Sequence, residues 1–161
     1  MKYFEDIAVG DRREIGRHTF TAEEIKSFAA RFDPQPFHLD EAAAAASHFG
    51  ALVASGWHTA AMFMRLWVGF QRDVIAEQQE RGEPVARTGP SPGFSKLKWL
   101  KPVYVGDTIA YASEIIEKRV SASRPEWGII VSRNTGTNQK GEVVYEFQGV
   151  GFVERRGSAS S

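Results

Sequence analysis

Apolar residues recur along this chain with two different periods, and the change from one to the other divides it. From Thr21 to Phe32 the period is helical: Ile25, Phe28, Ala29 and Phe32 return every three or four residues. Thr21-Ala22-Glu23-Glu24 fits a capping box at the start of that helix, and Phe20 and Ile25 fall where a hydrophobic staple packs. Pro34 stops the pattern. A second helix is predicted from Glu41 to His48, where alanine, the best helix former, dominates; Gly50 ends it. The third and longest begins near Ser55 or Gly56 and runs through Ala60, Phe63, Leu66, Trp67 and Phe70 toward Ala76. Its first half is apolar on nearly every face, which predicts a helix enclosed by other structure. Beyond Arg72 it turns polar, and three prolines and two glycines between Gly82 and Pro92 mark a surface loop.

After that loop the period shortens. Phe94 to Leu100, Thr108 to Ile116, Ile129 to Thr135 and Val143 to Val153 are rich in β-branched and aromatic residues that alternate in places. Turn pairs at Gly106-Asp107, Arg124-Pro125 and Lys140-Gly141 separate them. A short strand near Arg13 to Thr19 precedes the helices. The pattern predicts an α+β domain in which an antiparallel sheet wraps one long central helix. Residues 3–154 are expected to form this single domain, and 155–161, with nothing to bury, are expected to form a flexible C-terminal tail.

Composition narrows the function. The 161 residues suit one core, and 20 basic side chains balance 20 acidic ones. No run of like charge offers a surface to nucleic acid or an anionic membrane. The apolar stretch from Ala51 to Phe70 contains Ser55, Gly56, His58, Thr59 and Arg65, which argues for a buried helix over a membrane span. The absence of cysteine removes disulfides and thiolate chemistry and is compatible with the cytoplasm, which the absence of a signal-like N-terminus makes the default. His18, His38, His48 and His58 make no compact metal-ligand motif, so a metal-free site is expected.

The strongest chemical signal is Asp33-Pro34-Gln35-Pro36-Phe37-His38-Leu39-Asp40. An acid and an imidazole stand five positions apart, a distance of about 16 Å in extended chain. Two prolines between them stiffen the segment and keep it from continuing the preceding helix. If it folds back, Asp33 and His38 can share one water, as hydration or dehydration requires. Taken singly, Asp33 reads as a carboxylate bonding nearby amides, and His38 as a half-buried ring on a carbonyl; their pairing favours catalysis. Asp40 is best placed as the N-cap of the next helix.

These residues resemble those of a MaoC-like hydratase of the hot-dog superfamily, the group that includes the (R)-specific enoyl-CoA hydratases. The segment from Asp33 to Asp40 is similar to the family's hydratase motif. Val53-Ala54-Ser55-Gly56-Trp57 resembles its glycine-containing start of the central helix, and Lys101-Pro102-Val103-Tyr104-Val105-Gly106-Asp107-Thr108-Ile109 resembles a hairpin found across hot-dog proteins. Gln35 stands where asparagine is usual, Ser55 where histidine is common, and Trp57 with His58 where smaller or aliphatic side chains often occur.

The resemblance implies hydration of a trans-2-enoyl-CoA to the (R)-3-hydroxyacyl-CoA, or the reverse dehydration, within fatty acid metabolism. Asp33 and His38 would act on the water, and the Gly56 N–H would face the thioester oxygen. Gln35, Ser55, Trp57 and Thr59 would line the substrate, with the bulk of Trp57 limiting one end of the acyl pocket. Coenzyme A would enter as part of the substrate, with no other cofactor. Lys96, Lys98 and Lys101 would be candidates for its phosphates. A homodimer joined edge to edge is implied, with no nucleic acid or membrane partner. Two alternatives stay open: a hot-dog acyl-CoA thioesterase, and a non-catalytic acyl-thioester-binding subunit.

Overall fold

The computed structural model describes residues 1–157. After a 3-10 turn at Phe4–Asp6, the elements are β1 (Arg12–Thr19), α1 (Ala22–Phe32), α2 (Pro36–Leu39), α3 (Glu41–Ala46), α4 (Gly56–Glu80), β2 (Gly93–Trp99), β3 (Thr108–Val120), β4 (Trp127–Thr137) and β5 (Val143–Glu154). The five strands form one sheet in the order β1-β3-β4-β5-β2, each pair antiparallel. This is the α+β architecture that the two periods predict, with α4 as the long central helix.

The start of α1 uses both arms of the capping box. Thr21 accepts from the Glu24 N–H, and the Glu24 carboxylate accepts from the Thr21 N–H. Phe20 and Ile25, the staple pair, are fully buried in the main core with Phe63, Ile109, Tyr111 and Tyr145. Asp40 accepts from the Ala43 N–H at 2.8 Å and so caps α3.

Three details depart from the expected pattern. The stiff loop after Asp33 contains its own short helix, α2, with Pro36 in its first turn, where a missing N–H costs nothing. Helix α4 continues to Glu80, because Glu77, Gln78, Gln79 and Glu80 are good helix formers even without an apolar face. Nor is its first half enclosed on every side: Trp57, Met64 and Val68 are 53%, 51% and 57% exposed and lie on one stripe. Of the expected tail at 155–161, Arg155 and Arg156 reach back to Glu5; residues 158–161 lie outside the described residues.

The turn before β3 positions the segment that leads into α4. The Ala54 N–H donates to Val103 O at 2.8 Å, and the Val105 N–H donates to Leu52 O at 3.0 Å. Asp107 braces that turn by accepting from the Tyr104 N–H and from Gln139. Leu52, Val53 and Ala54 are thus held as extended backbone, buried between the turn and the core.

Candidate active site

Asp33 closes α1 as its C-cap, Gln35 precedes α2, and His38 is the third residue of α2. Two tight steps fold the segment back: the Gln35 N–H donates to Asp33 O at 2.7 Å, and the His38 N–H to Gln35 O at 2.9 Å. His38 Nε2 comes to 3.4 Å from Asp33 Oδ2. Two groups that extended chain would hold far apart therefore face one small volume.

The imidazole is buried and its orientation is fixed. His38 Nδ1 lies 2.7 Å from Val53 O, and since a carbonyl only accepts, Nδ1 carries the proton and donates. Nε2 is left to face Asp33. The clamp on Leu52–Ala54 described above therefore also sets which nitrogen of His38 can take or give a proton.

The carboxylate is held from two sides. Gln35 Nε2 donates to Asp33 Oδ1 at 2.8 Å, and Ser55 Oγ donates to Asp33 Oδ2 at 2.7 Å. Burial works to raise the Asp33 carboxyl, but the bonds from Gln35 and Ser55 and the nearby His38 outweigh it and hold the group below the ordinary aspartate value. Asp33 is ionised at neutral pH.

Ser55 is also the N-cap of α4, accepting from the Trp57 N–H at 3.2 Å. The Gly56 N–H makes no hydrogen bond to any described residue, and Gly56 lines the same cleft as Asp33 and His38. A free N–H at the positive end of a helix suits a developing oxyanion. The cleft, of about 410 Å³, is also lined by Phe37, Phe49, Thr59, Trp99 and Val144. Thr59 is buried, and its Oγ1 donates to Ser55 O at 3.4 Å. Trp57 stands edge-on to Trp99, ring centres 5.0 Å apart, and both are partly exposed at the mouth of the cleft.

Sequence reasoning did not single out Trp99. A Cβ built on Gly56 would lie 2.5 Å from the Trp99 indole, so the ring rests directly on the glycine. No local pattern could reveal this, because the contact joins the edge strand β2 to the start of α4. Val53, whose carbonyl orients His38, was named only within a motif. Of the three lysines considered for phosphate contacts, Lys98 pairs with Glu146 and Lys101 with Glu142. Among the described residues no His, Cys, Asp and Glu cluster could hold a metal, and no helix is long and apolar enough to cross a membrane.

Comparison with known proteins identifies the family and the fold. The model of the MaoC like domain matches residues 7–130. Over 126 residues the chain is 32% identical to the uncharacterized protein YdeM of Bacillus subtilis (strain 168), covering 77% of this chain and 79% of that protein. The crystal structure of the MaoC-like dehydratase from Rhodospirillum rubrum superposes with a TM-score of 0.79 at 38% identity, covering 97% of this chain and 99% of that one. An (R)-hydratase from A. caviae involved in PHA biosynthesis gives a TM-score of 0.65 at 24% identity over 94% of this chain and 98% of that one, a likeness of fold alone. With its antiparallel sheet set against one long helix, the chain has the hot-dog fold and belongs to the MaoC-like domain family.

Proposed function

We propose that the protein is a hydro-lyase that adds water to trans-2-enoyl-CoA thioesters, giving (R)-3-hydroxyacyl-CoA, or runs the reverse dehydration. The observation that carries this reading is the approach of His38 Nε2 to Asp33 Oδ2, 3.4 Å, inside a cleft that also holds the free Gly56 N–H. A water between the two side chains would give a proton to one of them as its oxygen bonds to the β-carbon. The π electrons shift toward the thioester, and its enolate oxygen accepts from the Gly56 N–H. Return of the proton to the α-carbon completes the addition of H and OH. Gln35 and Ser55 keep Asp33 charged and aimed, and Val53 O keeps Nε2 of His38 toward the water.

Family membership supports hydratase chemistry in general terms, and the side-chain arrangement supports the specific roles. Coenzyme A is the substrate's carrier, and no other cofactor takes part. The exposed stripe of Trp57, Met64 and Val68 begins beside β2, whose outer edge pairs with no other strand among those described; a second copy of the chain is the partner that suits both. A cytoplasmic role in acyl-CoA metabolism fits the cysteine-free composition.

The test is incubation with crotonyl-CoA and with longer and branched trans-2-enoyl-CoA thioesters. Conjugated enoyl absorbance should fall, and chiral analysis of the product should return the (R) isomer. Unchanged absorbance across the panel, with correctly folded protein, would refute the proposal.

A further inference from the structure

Strand register places Arg13, Ser113, Asn134 and Phe147 in one row across the sheet: Arg13 pairs with Ser113, Ser113 with Asn134, and Asn134 with Phe147. All four line a second cavity, of about 280 Å³, between the sheet and the later part of α4. This cavity shares no lining residue with the catalytic cleft. The rings of Phe63, Tyr111, Tyr145 and Phe147 are packed between the two, with the centres of Phe63 and Phe147 5.0 Å apart and those of Tyr145 and Phe147 5.6 Å apart. A ligand held here is therefore separate from the one at Asp33 and His38.

Arginines on the same strands show what Arg13 lacks. Arg12 pairs with Glu14, and Arg133 pairs with Glu114. Arg13 is partly buried and makes no ion pair among the described residues. Asp11 supplies the one carboxylate in the cavity lining, and it already accepts from Lys2 at 3.4 Å and from the Ala8 N–H at 3.2 Å. Those two partners hold the Asp11 carboxyl below its ordinary value, with a smaller contribution from Arg13. Lys2 and Arg13 set against Asp11 leave the lining side chains with one positive charge in excess. A guanidinium drawn out of water beside apolar walls is stabilised by an anion, best by a carboxylate that accepts two parallel hydrogen bonds. The Ser113 hydroxyl, next in the row, can donate another.

Away from Arg13 the walls are hydrocarbon. Phe63 and Trp67 of α4 face Ile115, Ile130 and Phe147. Gly149 and Gly151 on β5 add no side chain, which leaves that end open; a Cβ at Gly151 would meet only Ile130, at an ordinary 3.7 Å. Strand β5 lies three positions from β1 in the sheet, roughly 14 Å away, so the charged end and the open apolar end are well separated. The volume is near the lower end of the range of about 300–1,000 Å³ found for ligand pockets, which suits a tail of medium length.

We propose that this cavity is a second binding site, for the anion of a medium-chain fatty acid, with its carboxylate on Arg13 and Ser113 and its tail running across the sheet toward Gly149 and Gly151.

The test uses decanoate and 1-decanol, which share a tail and differ in the head group. Neither is a thioester, so binding is read whether or not the protein is a hydratase. Calorimetric titration should show one decanoate per chain, bound at least about tenfold more tightly than decanol. Arg13→Gln should bring the two affinities together by weakening decanoate. Gly151→Leu should weaken both ligands, because the larger side chain would occupy the cavity. Melting temperatures confirm that each variant is folded. Equal or tighter binding of decanol by the unmodified protein would overturn the inference. So would decanoate affinity that is unchanged in Arg13→Gln or in Gly151→Leu, since the anion would then be bound elsewhere, the catalytic cleft included.

Discussion

The Ser55 hydroxyl donates to Asp33 Oδ2 at 2.7 Å while accepting from the Trp57 N–H, so one side chain both caps the central helix and holds the candidate base. Ser55→Ala should remove both services. Loss of the cap should cost about 1 kcal/mol of stability. Loss of the bond removes one of the interactions that hold the Asp33 carboxyl down, so its pKa should rise. The charged form then disappears at a higher pH as acid is added, and the acid limb of the kcat/KM profile should move upward. A pH–rate profile measured beside a melting curve checks the two effects; an unmoved acid limb would mean that Ser55 acts only as a cap.

Gly56→Ala should be poorly tolerated, and for a reason internal to the protein. The new methyl would meet the Trp99 indole at 2.5 Å. Overpacking of this kind costs about 1–3 kcal/mol, and displacement of the ring should also disturb the cleft. Trp99→Ala in the same background should restore the melting temperature. If it does not, the glycine is required by another neighbour.

Trp57 is 53% exposed at the mouth of the cleft. Trp57→Ala should therefore leave the melting temperature nearly unchanged and raise KM by a similar severalfold factor for every chain length. A selective gain in kcat/KM for long chains would instead place the indole at the end of the acyl pocket, where its bulk alone would put it.

His58 offers a test of acid stability. Its ring stacks on Phe28 at 4.5 Å and meets Phe20 edge-on at 5.0 Å, and its Nδ1 has no partner. Burial, aided by the charge of His18 and opposed by Glu24, lowers its pKa to about 4. The unfolded chain, in which this histidine titrates near 6.5, then binds the extra proton more readily than the folded one. Stability is complete above about pH 6.5 and falls as pH drops toward 4, by up to about 1.4 kcal/mol for each pH unit crossed. Denaturant titrations at pH 7.5 and 5 should show the loss, and His58→Leu should flatten it. An equal loss in the variant would assign the acid sensitivity to other groups.

Much of this arrangement was legible in the sequence because it rests on local chemistry. Thr21 and Glu24 announce α1 through a capping box, alternation marks the later strands, and prolines on both sides of Gln35 announce a shaped segment between acid and imidazole. Contacts made only by tertiary folding were hidden. Nothing near Gln35 or Ser55 indicates that both side chains converge on Asp33, and nothing near Gly56 indicates that Trp99 will rest on it. The short helix α2 did carry a signal, Pro36 in a first-turn position, but four residues are too few for periodicity to register.

The proposed chemistry depends on the Asp33–His38 pair, which is tested by crotonyl-CoA turnover in the unmodified protein, Asp33→Asn and His38→Ala, each confirmed folded by its melting temperature. The unmodified protein should hydrate the thioester, and each variant should lose about a hundredfold or more in kcat, as removal of an acid–base group does. Near-native turnover in either variant would contradict the assignment of that residue to the reacting water.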